Sequence, residues 1–122
     1  MNLDGDPAVL DLCKRLHLQF EPQDWGIANA CARRLGEFIT FYRTSADLSK
    51  AQRHHMGELI VASANDGLRH DSLPDKARDE FMTFLRDHGQ DFPIVLAYWR
   101  SLAGDTDEFP VATLIGRKRT GT

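Results

Sequence analysis

Between Ser49 and Leu68 the chain places Met56, Leu59, Ile60, Ser63 and Ala64 at the three- and four-residue spacing of a single helical face. Val61 and Leu68 widen that stripe. Ser49 followed three residues later by Gln52 matches a capping box, so the helix is expected to begin there. The segment is also unusually rich in small side chains, with Gly57, Ala62, Ser63 and Ala64 close together. Small residues let neighbouring backbones approach, which places this helix at the centre of a helical domain. Gly67 costs up to ~1 kcal/mol against alanine inside a helix, and the end is expected to fray there.

Similar spacing recurs along the chain. Asp6 and Pro7 read as N-cap and first helical residue, and Val9, Leu12, Cys13 and Leu16 share a face up to about His17. "LQFEPQDWGIANA" follows, a loop whose Phe20, Trp25 and Ile27 are expected to pin it to the core. Asn29 is a plausible cap for a second helix, with Cys31, Leu35, Phe38, Ile39 and Tyr42 in one stripe as far as Thr44. "RHDSLPD" is a turn. Pro74 opens a fourth helix, lined by Ala77, Phe81, Phe84, Leu85 and His88 and closed by Gly89. Asp91 caps a fifth that starts at Pro93, carries Val95, Tyr98, Trp99 and Leu102, and ends at Gly104. Pro110 to Ile115 reads as a short sixth helix or a strand, and helix is favoured because a lone strand would have no partner.

The expectation is an all-α fold. Residues 1–115 form one compact bundle of five main helices with a short sixth, and 116–122 form a disordered basic tail. The 122 residues match one domain, long enough to bury roughly two-thirds of the unfolded surface. Cys13 and Cys31 are expected as reduced thiols on apolar helix faces. Asp4 and Asp6 stand where a signal peptide would be positive, and no apolar run approaches the ~20 residues of a membrane span. The expected location is cytoplasmic.

Charge is uneven. Residues 1–64 hold eight acids and seven bases, residues 65–108 ten acids and five bases, and residues 109–122 three bases and no acid. An acidic body is a poor phosphate binder and suits a basic partner. DNA binding would need a helix-turn-helix built from the second and third helices, using Arg33, Arg34, Arg43, Lys50 and Arg53, but the connection "RTSADLSK" is longer than the usual tight turn.

Catalytic motifs are absent. There is no GxSxG, P-loop, GxGxxG or HExxH, and Ser63 and Ser101 fall inside expected helices. His54 and His55 point about 100° apart on a helix, which makes it hard for them to share an ion. His54 and Glu58, four residues apart, can chelate together, but a closed zinc site needs two further ligands. No metal, cofactor or enzymatic activity is expected.

Tyr98 and Trp99 are adjacent and cannot both face the same core line, so one belongs at the core's edge. Asp105, Asp107 and Glu108 follow within ten residues. An aromatic anchor with a charged rim is the composition of an interaction hot spot. With "GELIVASAND" (57–66) and "AYWRSLAGDTDEFPVATLI" (97–115), the chain resembles the small, acidic, all-helical immunity proteins of bacterial polymorphic toxin systems. The resemblance lies in size, helicity, acidity and the tryptophan followed by an acidic loop and "EFP". It implies a cytoplasmic antidote that binds and inhibits a cognate toxin, and it transfers no residue position by position. The expected docking residues are Asp105, Asp107, Glu108 and Tyr98, with Asp75, Asp79 and Glu80 as a second acidic candidate. The partner is expected to be a basic toxin domain.

Overall fold

The computed structural model describes residues 7–20, 25–104 and 108–120, with the last five of these described by backbone alone. In chain order the helices are α1 (Pro7–Leu16), α2 (Trp25–Ala28), α3 (Leu35–Thr44), α4 (Lys50–Arg69), α5 (Asp75–His88), α6 (Pro93–Arg100) and α7 (Pro110–Thr120). Single 3-10 turns precede α3 (Ala32–Arg34) and α6 (Gly89–Asp91). No strand occurs among the described residues, and the all-α expectation holds.

The middle of the bundle is α4. From Met56 to Gly67 every residue is buried except Glu58 and Asp66. Helices α1, α2, α3, α6 and α7 all pack against it, while α5 lies on α3. The small residues explain how so many neighbours fit. A Cβ on Gly57 would stand 2.5 Å from the Phe92 ring, so the glycine is the seat of that ring. Phe92 stacks on Phe84 at 5.9 Å, and Phe84 meets Tyr42 edge to face at 5.1 Å. This aromatic column joins α3, α5 and the start of α6 to α4. Each such ring removed from water contributes about 1.5–3 kcal/mol.

Three polar side chains on α4 each tie down a different segment. Ser49 and Gln52 form the expected capping box, and the Gln52 amide also donates to Asp11 Oδ2 at 2.8 Å and to the Ala8 carbonyl at 3.3 Å, holding α1. Ser63 Oγ accepts from the Cys31 backbone N–H at 3.0 Å, holding the turn before α3. Asn65 accepts from the Val111 N–H at 3.1 Å and donates to the Glu108 carbonyl at 3.2 Å, so it serves as a cap for α7 supplied by another helix. Val111 is among the α7 amides that have no partner within their own helix.

Several local expectations are corrected. The second helix begins at Leu35, since Asn29 instead bonds the Gln19 and Trp25 carbonyls. Cys31 therefore lies before the 3-10 turn and not on a helix face; both cysteines are free thiols, and the Cys13 sulfur accepts from the Trp25 indole at 3.2 Å. Trp25 is pinned as expected, but Ile27 points outward. Gly67 does not end α4, because it lies buried against Ala32 and Leu73. The last helix, expected to stop at Ile115, continues to Thr120.

Removing the Asn65 amide leaves the buried Val111 N–H unpaired. Asn65→Ala should cost about 1–3 kcal/mol, read as a lowered urea midpoint. Asn65→Asp keeps the acceptor at a helix N-terminus, where a negative charge is favoured, and should cost less. At Gly26 an added Cβ would come within 2.8 Å of the Glu58 Cβ and 2.9 Å of the Leu59 nitrogen. Gly26→Ala should therefore lift α2 from α4 and destabilise by about 1–3 kcal/mol.

Candidate functional site

The tight seat of Gly26 lays α2 directly on α4 beside Glu58, one of the two residues at which the middle of α4 reaches the surface. Helix α6 passes on the other side, and a groove of about 270 Å³ opens between the three helices. Helix α2 supplies Ile27, α4 supplies His54 and Glu58, and α6 supplies Ile94, Val95, Tyr98 and Trp99. The floor is Val95 and Trp99, exposed by only 3% and 5%; the rim is Ile27, Ile94 and Tyr98, exposed by 50%, 71% and 53%. Of the four large hydrophobic side chains exposed among the described residues, three therefore surround one depression, and Leu10 is the fourth. The adjacent aromatics divide as their angular separation requires. Trp99 turns inward against Phe109, and Tyr98 stands at the edge with its ring 5.9 Å from that of Trp99.

The polar side of the groove is a small network. Glu58 is three residues past His55 and four past His54. One carboxylate oxygen lies 3.3 Å from His55 Nδ1 and the other 3.9 Å from His54 Nε2. The two imidazoles meet edge to face at 5.4 Å, closer together than the 100° rule for adjacent residues implied. Side chains on a helix tilt toward its N-terminus, so Glu58 reaches back to both rings. Behind them the His55 ring meets the edge of the buried Trp25 at 6.3 Å.

The acidic residues singled out in the sequence that the structure describes do not line this groove. Asp105 and Asp107 lie outside the described residues. Glu108 is exposed and its carboxylate is 3.5 Å from Arg69. Asp75 pairs with Arg78 at 2.7 Å on the first turn of α5. Asp79 is exposed and Glu80 half-buried on the same helix, and none of these three lines the groove. Tyr98 is the one expected docking residue that does, and the apolar rim it belongs to is assembled from three elements distant in sequence.

Of the basic residues considered for DNA, Arg33, Arg43 and Lys50 are exposed, while Arg34 and Arg53 are engaged. Arg34 grips Glu37 at 2.7 Å and the Leu16 carbonyl at 2.7 Å, and Arg53 lies 5.1 Å from the Tyr42 ring centre. A recognition helix must enter the major groove, but α4, the helix that would have to do so, is enclosed over most of its length.

A second polar cluster joins α3 to the turn before α6. Tyr42, exposed by 1%, donates to Asp91 Oδ2 at 2.6 Å, and His88 Nδ1 lies 3.7 Å from the same oxygen. Asp91, expected to cap the next helix, is occupied here instead. Burial, and then the hydrogen bond to Asp91, hold the Tyr42 phenol protonated well above its ordinary range, while Arg53 opposes this. Tyr42 is the buried member of this strut, and His88 and Asp91 stay partly exposed.

Set against protein-family models, curated proteins and solved structures, the chain matches none. No helix among the described residues is long and apolar enough to cross a membrane.

The Tyr42 strut has a pH signature. A phenol whose folded pKa is raised adds stability that is complete below the unfolded value, about 10, and is lost as pH climbs beyond it. Tyr42→Phe should lower stability at neutral pH by about 1–3 kcal/mol, because Asp91 loses its donor. The gap from wild type should narrow in urea titrations at about pH 11; a gap that stays constant would contradict the assignment.

Proposed function

We propose that the chain is a non-catalytic binding protein of the immunity type, and that it inhibits a bacterial toxin domain by docking through the groove between α2, α4 and α6. The observation that carries this reading is the convergence of Ile27, Ile94 and Tyr98 around one groove floored by Val95 and Trp99. Exposed large apolar groups that converge on a pocket mark an interaction site, whereas scattered ones do not. A central aromatic anchor with a polar margin is the arrangement that concentrates binding energy.

The occupant that fits is a protein segment presenting an apolar side chain beside a lysine or arginine. Apolar walls take the first group, and the Glu58 carboxylate at the margin takes the second. The acidic balance of residues 65–108 acts at longer range, steering a basic partner and raising its on-rate. In this reading Asp105, Asp107 and Glu108 contribute to steering while Tyr98 contributes to the anchored contact. The exposed pair of Glu108 with Arg69 is of the kind that contributes little, and exchanging it for a partner's cation is inexpensive. Inhibition of this sort requires a rigid surface and no catalytic group.

The test begins with the protein encoded directly upstream of this chain. Its C-terminal domain should be toxic when produced alone and harmless when produced with this chain. Tyr98→Ala and Ile94→Lys alter exposed side chains and should leave the fold intact. Each should weaken the purified complex at least about tenfold, a loss of roughly 1.4 kcal/mol. Reversing Asp105, Asp107 and Glu108 to lysine should mainly slow association and flatten its salt dependence. Neutralisation unaffected by either groove substitution would overturn the placement of the interface, and an upstream domain that is not neutralised would overturn the immunity reading.

A further inference from the structure

We propose that His54, His55 and Glu58 form a binding site for a divalent transition-metal ion, of which zinc is the representative, on the α4 wall of the groove. One nitrogen from each histidine and one Glu58 oxygen lie within 4.8 Å of one another. Among the described residues this is the one group of three metal-binding side chains so arranged. The sequence explains the cluster. A helical residue neighbours those three and four positions before it, so Glu58 is the common neighbour of His54 and His55.

Metal–ligand bonds of about 2.0–2.1 Å in a tetrahedral site require ligand atoms roughly 3.3 Å apart. The separation of Glu58 Oε1 from His55 Nδ1, 3.3 Å, already meets this, and His54 Nε2 lies 3.9 Å from the other carboxylate oxygen, Oε2. All three side chains are partly exposed, between 24% and 40%, and retain the torsional freedom to close the remaining gap. Their backbone is held rigidly, by the Ser49–Gln52 capping box just before them and by α2 packed onto Glu58 at Gly26. The buried Trp25, itself bonded to Cys13, backs the His55 ring.

The donor set determines the class of ion. Two imidazoles and one carboxylate suit zinc, cobalt, nickel and copper, whereas magnesium and calcium prefer sites made only of oxygen. Three protein ligands leave a coordination position open. Because His54 and Glu58 both line the groove, that position faces the docking surface. With the ion bound, a histidine, cysteine or carboxylate of a partner can take that position; without it, Glu58 faces a partner's lysine or arginine. Only this last statement rests on the groove being a docking face; ion binding itself belongs to the isolated chain.

The test uses the full chain without a histidine tag and without any partner, so its outcome is independent of the toxin-inhibitor reading. Zinc chloride added by calorimetric titration at about pH 7.5 should bind with one-to-one stoichiometry, and magnesium and calcium should not bind. Binding should weaken at least tenfold in His54→Gln and in Glu58→Gln. In the unsubstituted chain, zinc should shift the imidazole resonances of His54 and His55 in nitrogen-edited NMR and leave those of His70 and His88 in place. Absence of saturable binding at about 100 μM zinc, weaker than any affinity of roughly 5.5 kcal/mol, would overturn the proposal. So would binding that survives both substitutions or that shifts other histidines alone.

Discussion

The bundle depends on the enclosure of α4. A helix of twenty residues packed by five others must present very little side-chain bulk at the points of closest approach. Gly57 receives the Phe92 ring, and Gly67 receives Ala32 and Leu73. On the facing side it is α2 that gives way, at Gly26, so that its backbone can rest on Glu58 and Leu59. Volume at any of these seats would be resisted by close-packed neighbours with little ability to shift. Enclosure also requires that polar groups brought to the centre be satisfied. Gln52, Ser63 and Asn65 meet that requirement by bonding to other segments, and so convert a cost of burial into a means of fixing register.

The groove is a consequence of the same packing. Helix α2 is one turn long and seats on α4 beside Glu58 and Leu59, and α6 packs on the other side. Between them lies the short exposed patch of α4 that carries His54 and Glu58. Among the described residues nothing covers the apolar rim, and an apolar rim suits a protein surface rather than a small polar substrate. The site combines three features seldom found together on a simple solvated face: a deep tryptophan floor, exposed aliphatic and aromatic walls, and a carboxylate flanked by two imidazoles.

Much of the fold was legible in the sequence because its signals are local. The Ser49–Gln52 capping box, the small residues that marked α4 as central, and the split between Tyr98 and Trp99 all follow from positions within one or two turns of each other. The features that were not legible depend on distance in sequence. Helix α2 is too short to show a period and exists because Gly26 fits against α4. Asn65 serves Val111, forty-six residues away, and Asp91 serves Tyr42, forty-nine residues away, so neither acts as a local cap. The groove draws on α2, α4 and α6, and no single window of sequence contains it. The proximity of His55 was missed for a different reason. Comparing His54 and His55 as a pair places them on diverging faces, while considering the residue that both can reach brings them together at Glu58.

The most direct measurement of whether α4 organises this protein is native-state hydrogen exchange. If it does, the amides from Leu59 to Ala64 exchange only through global unfolding and are the slowest in the chain, with those of α5, which packs mainly on α3 and on the turn before α6, opening earlier. Exchange of the α4 amides through a smaller opening, while α5 remains protected, would contradict the account.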